Sequence, residues 1–359
     1  MEVNMSYKKI CIIGAGNISN TRHIPSLEKI KECKICGIIS DERKKIDRTY
    51  LRHKYLRDKP FLLIDTDKDI VEQLKQCKWF EEIDAVVIGT PPKQHFPMVR
   101  ACLLLNKHVL VEKPMMMSVN ECDEVMEIAH RNKRILQVMH SFQFSKGMEE
   151  MYSRYKSGEF GELKSILELQ LTNRDRRLPV WYNELPLGLF YDEAAHFFYG
   201  ARRFGGKLKV LNAHAQYNAQ NDNTPRFLEA QLKSGNIPVQ MYMNFNSPIC
   251  EWGMILICDK KIAIYDYFKD IVVVLKNDNM HLAKDVLRTS FMFSFLFWKG
   301  FIKNGFKMLS HNLLYGHDRC MKKYIEAIDA GETCFELSAE LGKEVVTAMN
   351  EVVRYVKEK

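Results

Sequence analysis

Two groupings in this 359-residue chain have residue types at spacings that suit proton transfer. The first is Val111-Glu112-Lys113-Pro114. There a lysine arrives at the end of the apolar run His108–Val111, and a proline stops that run from continuing as a strand. Alone, the triplet is equally an ordinary surface turn. The second is Tyr191-Asp192-Glu193-Ala194-Ala195-His196. On a helix, Asp192 and His196 share one face about a turn apart. Such a pair is a solvated helix face, a histidine satisfied inside a core, or an acid–base device that works because imidazole changes charge near neutrality. The flanking LPLGLF and FFYG are apolar and aromatic, so this helix is expected to be buried.

The elements around the first grouping decide how it reads. Ile10–Ile13 is a short apolar run, followed by Gly14-Ala15-Gly16 and a helical stretch through Asn17 and Ile18. A strand, a glycine turn and a helix in that order let the backbone approach a pyrophosphate, with the unpaired N–H groups of the helix start facing it. The third glycine of that pattern is replaced by Ser19, which is small enough to keep helix and strand close. A second run, ICGII, ends at Ser40-Asp41-Glu42-Arg43. An acidic residue there suits the ribose hydroxyls of NAD, and a small residue beside Arg43 suits the extra phosphate of NADP. Asp41 tilts the reading toward NAD, and NADP stays open.

Ala85–Ile88 gives a further strand, broken by Gly89-Thr90-Pro91-Pro92 and followed by a helix from His95. His108–Val111, a helix over 119–132 and the run ILQVMH continue the alternation. Strands alternating with helices predict a parallel, doubly wound sheet, and ligands bind beyond the carboxyl ends of its strands. Gly14, Ser40, Thr90 and Lys113 all fall at such ends, so the lysine sits at the rim of a crevice. Past residue 141 the periodicity changes. Seven strand-like pieces between 164 and 276 alternate apolar and polar residues, which predicts a mainly antiparallel open sheet in an α+β domain. Helices close the chain, the last with Ser338 as its N-cap. The expected division is a dinucleotide-binding domain over 1–141 and a substrate-binding and oligomerisation domain over 142–359.

Taken as an ordered set, GAGNIS, DAVVIGTPPKQH, VEKP and the Asp-x-x-x-His of YDEAAH resemble the glucose–fructose oxidoreductase / inositol dehydrogenase (Gfo/Idh/MocA) family over nearly the whole length. The resemblance implies an NAD(P)-dependent oxidoreductase that acts on CH–OH groups of a sugar or sugar derivative. It implies Lys113, Asp192 and His196 as the catalytic group. Lys113 would hydrogen-bond the reacting hydroxyl, His196 would be general base, and Asp192 would orient the pair. Cofactor contacts fall on Gly14, Gly16, Asn17, Ile18, Ser40, Asp41, Arg43, Thr90, Pro91, His95, Glu112 and Lys113. The resemblance also implies a cis bond before Pro114 and a homodimer or homotetramer. Glu193-Ala194-Ala195 departs from relatives that carry a glycine before the histidine, which bears on substrate shape.

The loop TNRDRRLPVWYNELP supplies Arg174, Arg176 and Tyr182, which suit a phosphorylated or nucleotide-linked sugar. A solvated basic loop is the competing reading. Two other functions use the same scaffold: a non-catalytic NAD(P)-binding sensor or scaffold, and a cofactor-recycling lyase or hydrolase.

Composition limits the remaining classes. Apolar residues make up 46% and charged residues 27%, an ordinary globular balance. The net charge, 53 − 45 = +8, is dispersed without a basic tract, so no nucleic-acid partner is expected. Ten scattered cysteines without an export-signal layout read as reduced thiols in a cytoplasm. Cys33-Lys-Ile-Cys36 has metal-site spacing but no second pair, so no metal is expected. No transmembrane stretch is present in the sequence. Residues 289–308, TSFMFSFLFWKGFIKNGFKM, are aromatic with interspersed lysines. The preferred reading is core or an oligomer contact, and the other is an amphipathic helix lying on a membrane.

Overall fold

In the first part of the chain, short apolar runs form the parallel strands β1 (Lys8–Ile13), β2 (Cys33–Ser40), β3 (Phe61–Leu63), β4 (Ala85–Ile88), β5 (His108–Val111) and β6 (Leu136–Val138). The computed structural model describes residues 7–173, 175–176, 178–218, 223–278, 280–310 and 313–358. The sheet order is β3-β2-β1-β4-β5-β6, with every pairing parallel. This is the doubly wound dinucleotide-binding order, and its direction reverses between β1 and β4, where the crevice opens. Helices on both faces explain the unbroken apolar runs. Ile10, Ile12, Val86 and Val109 are wholly buried, as a parallel sheet covered on both sides requires. Strand β3, only three residues at the sheet edge, is one that the sequence pattern does not announce.

The chain divides into two compact units, Met1–Ser141 with His317–Val346, and Phe142–Gly316 with Thr347–Lys359. The expected second domain over 142–359 therefore differs from the structure, because His317–Val346 packs into the first unit. The physical reasons are specific. Ala339 and Val346 join the core that contains Val86, Val109 and Met115. Tyr324 donates its hydroxyl proton to Val86 O at 3.1 Å, and Gln137 bridges to Ser338. Ser338 caps the last helix, Ala339–Lys357, by accepting the Leu341 N–H at 3.2 Å.

The second unit holds β7 (Leu163–Asn173), β8 (Leu208–Gln216), β9 (Phe227–Ser234), β10 (Ile237–Ser247), β11 (Glu251–Cys258), β12 (Lys261–Asp266) and β13 (Ile271–Lys276). Their order is β13-β12-β11-β7-β10-β9-β8. Only β7 and β10 run parallel to each other; the other pairs are antiparallel. Strict alternation of buried and exposed residues along β9 shows one covered face.

One half of an expectation, that residues 289–308 are core, fails here. Residues 289–308 lie within the helix Ala283–Leu309, yet Phe291, Trp298 and Phe306 are 68%, 58% and 74% exposed, so the segment is not core. Among the described residues, no helix is long and apolar enough to cross a membrane.

Candidate functional site

Backbone crowding at the crevice makes Gly14 obligatory. Its φ is +93°, and a Cβ there would lie 2.8 Å from Gly89 C and O and 2.9 Å from Thr90 N. The ends of β1 and β4 thus touch backbone to backbone, which only glycine permits. Gly16 is the opposite case: a Cβ there would meet nothing within 4 Å. Its backbone faces open space, as close approach by a ligand requires. Ser19 fulfils the small-residue role expected of it. It is fully buried, its hydroxyl donates to Gly14 O at 2.5 Å, and a Cβ on Gly89 would come within 2.9 Å of that oxygen. Asn17 is exposed and Ile18 half-buried at the start of the following helix, whose turn Ser19–His23 is a π-turn.

Two polar groups at this end are suited to a dinucleotide. Thr90 Oγ1 is buried without a hydrogen-bond partner, an uncompensated cost that a bound polar group would remove. Pro91, half-buried and extended, follows it. At the end of β2, Ser40 is buried and donates to Asp41 Oδ1 at 3.1 Å, and Lys45 reaches the same carboxylate at 2.9 Å. Burial pushes the Asp41 carboxyl up, but Lys45 and the local hydrogen bonds outweigh it and hold the group below its usual range. Arg43 turns aside: its Nε pairs with Asp47 at 2.8 Å and its guanidinium lies 4.6 Å from the centre of the Phe61 ring. The orphaned hydroxyl, the open glycine and the carboxylate together fit a nicotinamide dinucleotide.

The lysine loop is braced from behind. The Lys113–Pro114 peptide is cis. Glu112 is 8% exposed; its Oε1 accepts from His23 Nε2 at 2.8 Å and lies 3.7 Å from His317 Nε2, while Oε2 accepts the Lys113 N–H at 3.2 Å. Burial alone would raise the Glu112 carboxyl, yet the two histidines hold it well below the usual range. Burial pulls His23 down, so His23 serves as the neutral donor to a carboxylate. His95 is fully buried, with Nδ1 2.8 Å from Pro114 O and Nε2 3.0 Å from Thr90 O. Burial lowers its pKa against the pull of those two carbonyls. The neutral ring donates to one of the two carbonyls and packs between the loop after β4 and the loop after β5. Glu112 and His95, expected as cofactor contacts, spend their side chains on positioning Lys113 and Thr90.

The second grouping lies in the other unit. Asp192 is the penultimate residue of one short helix, Leu189–Glu193, and His196 the second residue of another, Ala195–Gly205. Ala194 between them keeps helical angles, so the one-turn spacing survives the break. Asp192 is half-buried; His196 is 7% exposed. The His196 ring lies edge-on to Phe142 at 4.9 Å, and Trp252 stands 5.7 Å away. Its Nδ1 is 2.6 Å from Tyr199 Oη, which also accepts the Phe142 N–H at 3.2 Å. Tyr199 thus fixes the ring from one side. It was missed in the sequence, although its position one turn beyond His196 was the available signal.

Beside Asp192, the buried Glu193 carboxylate accepts from Gln170, from Thr172 at 3.3 Å, and from Arg176. Arg176, expected to meet substrate, is committed to that internal ion pair. Tyr182 is half-buried in the short turn Val180–Glu184. Arg174 lies outside the described residues. The Cys33 thiol faces Leu27 O and Ile30 O, and burial pushes it up to about 12. Among the described residues, no group of three or more His, Cys, Asp or Glu side chains is arranged to hold a metal ion.

Residues 8–140 match a family described as oxidoreductase, NAD-binding Rossmann fold (Gfo/Idh/MocA). A scyllo-inositol 2-dehydrogenase (NADP(+)) of Bacillus subtilis is 22% identical over 239 residues, 65% of this chain and 62% of that protein. The chain spans less than two thirds of the length of the curated relatives it matches. Two solved structures share the fold across 98% of both chains. One is a UDP-N-acetylglucosamine 3-dehydrogenase from Acidithiobacillus ferrooxidans, with a TM-score of 0.71 at 13% identity. The other is a variant of a 3-ketoreductase from Actinomadura kijaniata in complex with TDP-benzene and NADP, with a TM-score of 0.74 at 14% identity.

Proposed function

We propose that the chain is a member of the Gfo/Idh/MocA oxidoreductase family, whose description matches residues 8–140, and that it moves a hydride between a nicotinamide dinucleotide and a secondary alcohol of a sugar or sugar derivative. The observation that carries the reading is the crevice end of the first unit. Gly14 is forced, Gly16 is open, and the Thr90 hydroxyl lacks a partner. When bound, the nicotinamide supplies the hydride acceptor or donor. The chain's own residues handle the proton. His196 takes the proton from the substrate hydroxyl as general base, and Lys113 donates a hydrogen bond to the same oxygen and stabilises its developing negative charge. Asp192 orients the histidine side of this group. Asp41, ionised at the end of β2, favours the ribose hydroxyls of NAD, and the engagement of Arg43 with Asp47 leaves a 2′-phosphate without its expected cation.

Nucleotide-linked sugars form the first arm of the substrate screen, prompted by the UDP- and TDP-linked names of the two fold neighbours. The pairing of Arg176 with Glu193 weakens the case for a phosphate contact from that arginine. The test follows reduced-nicotinamide absorbance with free sugars, sugar phosphates and sugar nucleotides, each with NAD and NADP. Turnover with any of them supports the reading. Tight dinucleotide binding with no turnover across the panel points to a sensor. Product formed while bound dinucleotide stays unchanged points to lyase or hydrolase chemistry.

A further inference from the structure

The helix Ala283–Leu309 has 27 residues, a length of about 40 Å. One face is fixed to the second unit. Asn304 Nδ2 donates to Lys269 O at 3.0 Å and to Asp270 O at 2.7 Å, and a Cβ on Gly300 would come within 2.8 Å of Ile271 Cγ2. The opposite face carries Phe291, Phe295, Trp298, Ile302, Phe306 and Leu309, each three or four residues from the next and between 52% and 82% exposed. That spacing makes a single stripe along the helix. A continuous apolar stripe of this size marks an interaction surface.

Charge identifies the occupant. The helix carries Lys284, Arg288, Lys299, Lys303 and Lys307 against Asp285, so its balance is 5 − 1 = +4. At 100° per residue, Arg288, Lys299, Lys303 and Lys307 fall along one flank of the stripe. Burial, with Lys146 and Lys303 nearby, lowers the Lys307 ammonium from its ordinary value, as crowded cations do. At the N-terminal end, a cleft of ≈ 410 Å³ is lined by Met280, Leu282, Lys284, Asp285 and Arg288, setting cations beside apolar groups. A second copy pairing through the same face would bring two +4 helices together, which like-charge repulsion opposes. An anionic bilayer supplies both requirements: negative headgroups for the flank and an apolar interior for the rings.

We propose that the helix Ala283–Leu309 lies flat on anionic lipid membranes, docking the protein at a bilayer surface through its aromatic stripe and basic flank. The full chain is mixed with vesicles of phosphatidylcholine alone, or with phosphatidylglycerol added, and floated on a density gradient. Binding to the anionic vesicles is expected to exceed binding to the neutral ones by about tenfold or more and to weaken with salt. Trp298→Ser with Ile302→Ser should abolish flotation without changing the melting temperature, because both side chains are exposed. Lys299→Gln with Lys303→Gln should weaken it by about tenfold. Light scattering on the same samples supplies the opposing result. If the wild type does not float and the Trp298→Ser, Ile302→Ser variant is a smaller assembly, the face is a self-contact and the proposal is overturned. Equal flotation on neutral and anionic vesicles overturns it as well.

Discussion

At the scale of single residues, the structure separates polar groups left open to a ligand from side chains spent on holding others in place. Thr90 is the clearest of the first kind, since a buried hydroxyl without a partner is costly until something pairs with it. Thr90→Val keeps the shape and removes that group. Dinucleotide affinity measured by calorimetry should fall by about three- to tenfold, with melting in the absence of dinucleotide unchanged or slightly raised. An unaltered affinity would show that the hydroxyl is not a contact. Glu112, His23, His317 and His95 are of the second kind. Lys113, Asp192 and His196, the residues proposed for the chemistry, stand in local motifs that the sequence displays directly. The brace behind the lysine was not legible there, since His317 and Glu112 are joined by folding across most of the chain. Arg176 illustrates the converse: its type suits phosphate, but its partner, Glu193, becomes evident only when the loop and helix are placed.

At the scale of elements, two groups of buried titratable side chains give the units opposite pH responses. In the first unit burial pulls down His23 and His95, and brings His108 and His140 to about 4. An unfolded histidine binds its proton near pH 6.5, so between that value and the folded one the unfolded chain holds more protons, and stability falls as pH drops. His140 alone makes this loss roughly 3 kcal/mol between about pH 6.5 and 4. Denaturant melts across that window should show stability declining with acid; a flat profile would contradict the burial of these rings. On β7, Glu168 has the reverse sign. It is 2% exposed, its Oε1 has no partner, and burial raises its carboxyl well above the usual range against one hydrogen bond from Tyr267. Its folded form keeps a proton that the unfolded form loses, so it favours folding less as pH rises above the carboxylate range. Glu168→Gln should therefore raise the melting temperature at about pH 8 and lose that advantage toward pH 4. A uniformly lowered melting temperature would refute this. The elements themselves were largely readable. All seven strands of the second sheet follow from alternation, while β3 escaped because three residues at a sheet edge carry too little pattern.

At the scale of the whole molecule, composition and element order gave the two architectures, because alternating strands and helices admit few sheets and alternating polarity admits few others. What order along the chain could not give was the return of His317–Val346 to the first unit, which depends on Tyr324, Ala339 and Val346 finding partners far away in sequence. Nor could it show that the aromatic helix turns its rings outward, since a stripe of phenylalanines reads the same for a core face and for a docking face. The proposal at the centre of the account is that Lys113 and His196 both serve the hydride-transfer reaction. Its most direct test is single-turnover formation of reduced nicotinamide by the wild type, Lys113→Met and His196→Ala, each saturated with dinucleotide and with whichever sugar the screen identifies. The account predicts unchanged dinucleotide binding in all three, with the rate reduced by about 10²–10⁴-fold in each variant. Turnover within twofold of wild type in either variant would contradict it.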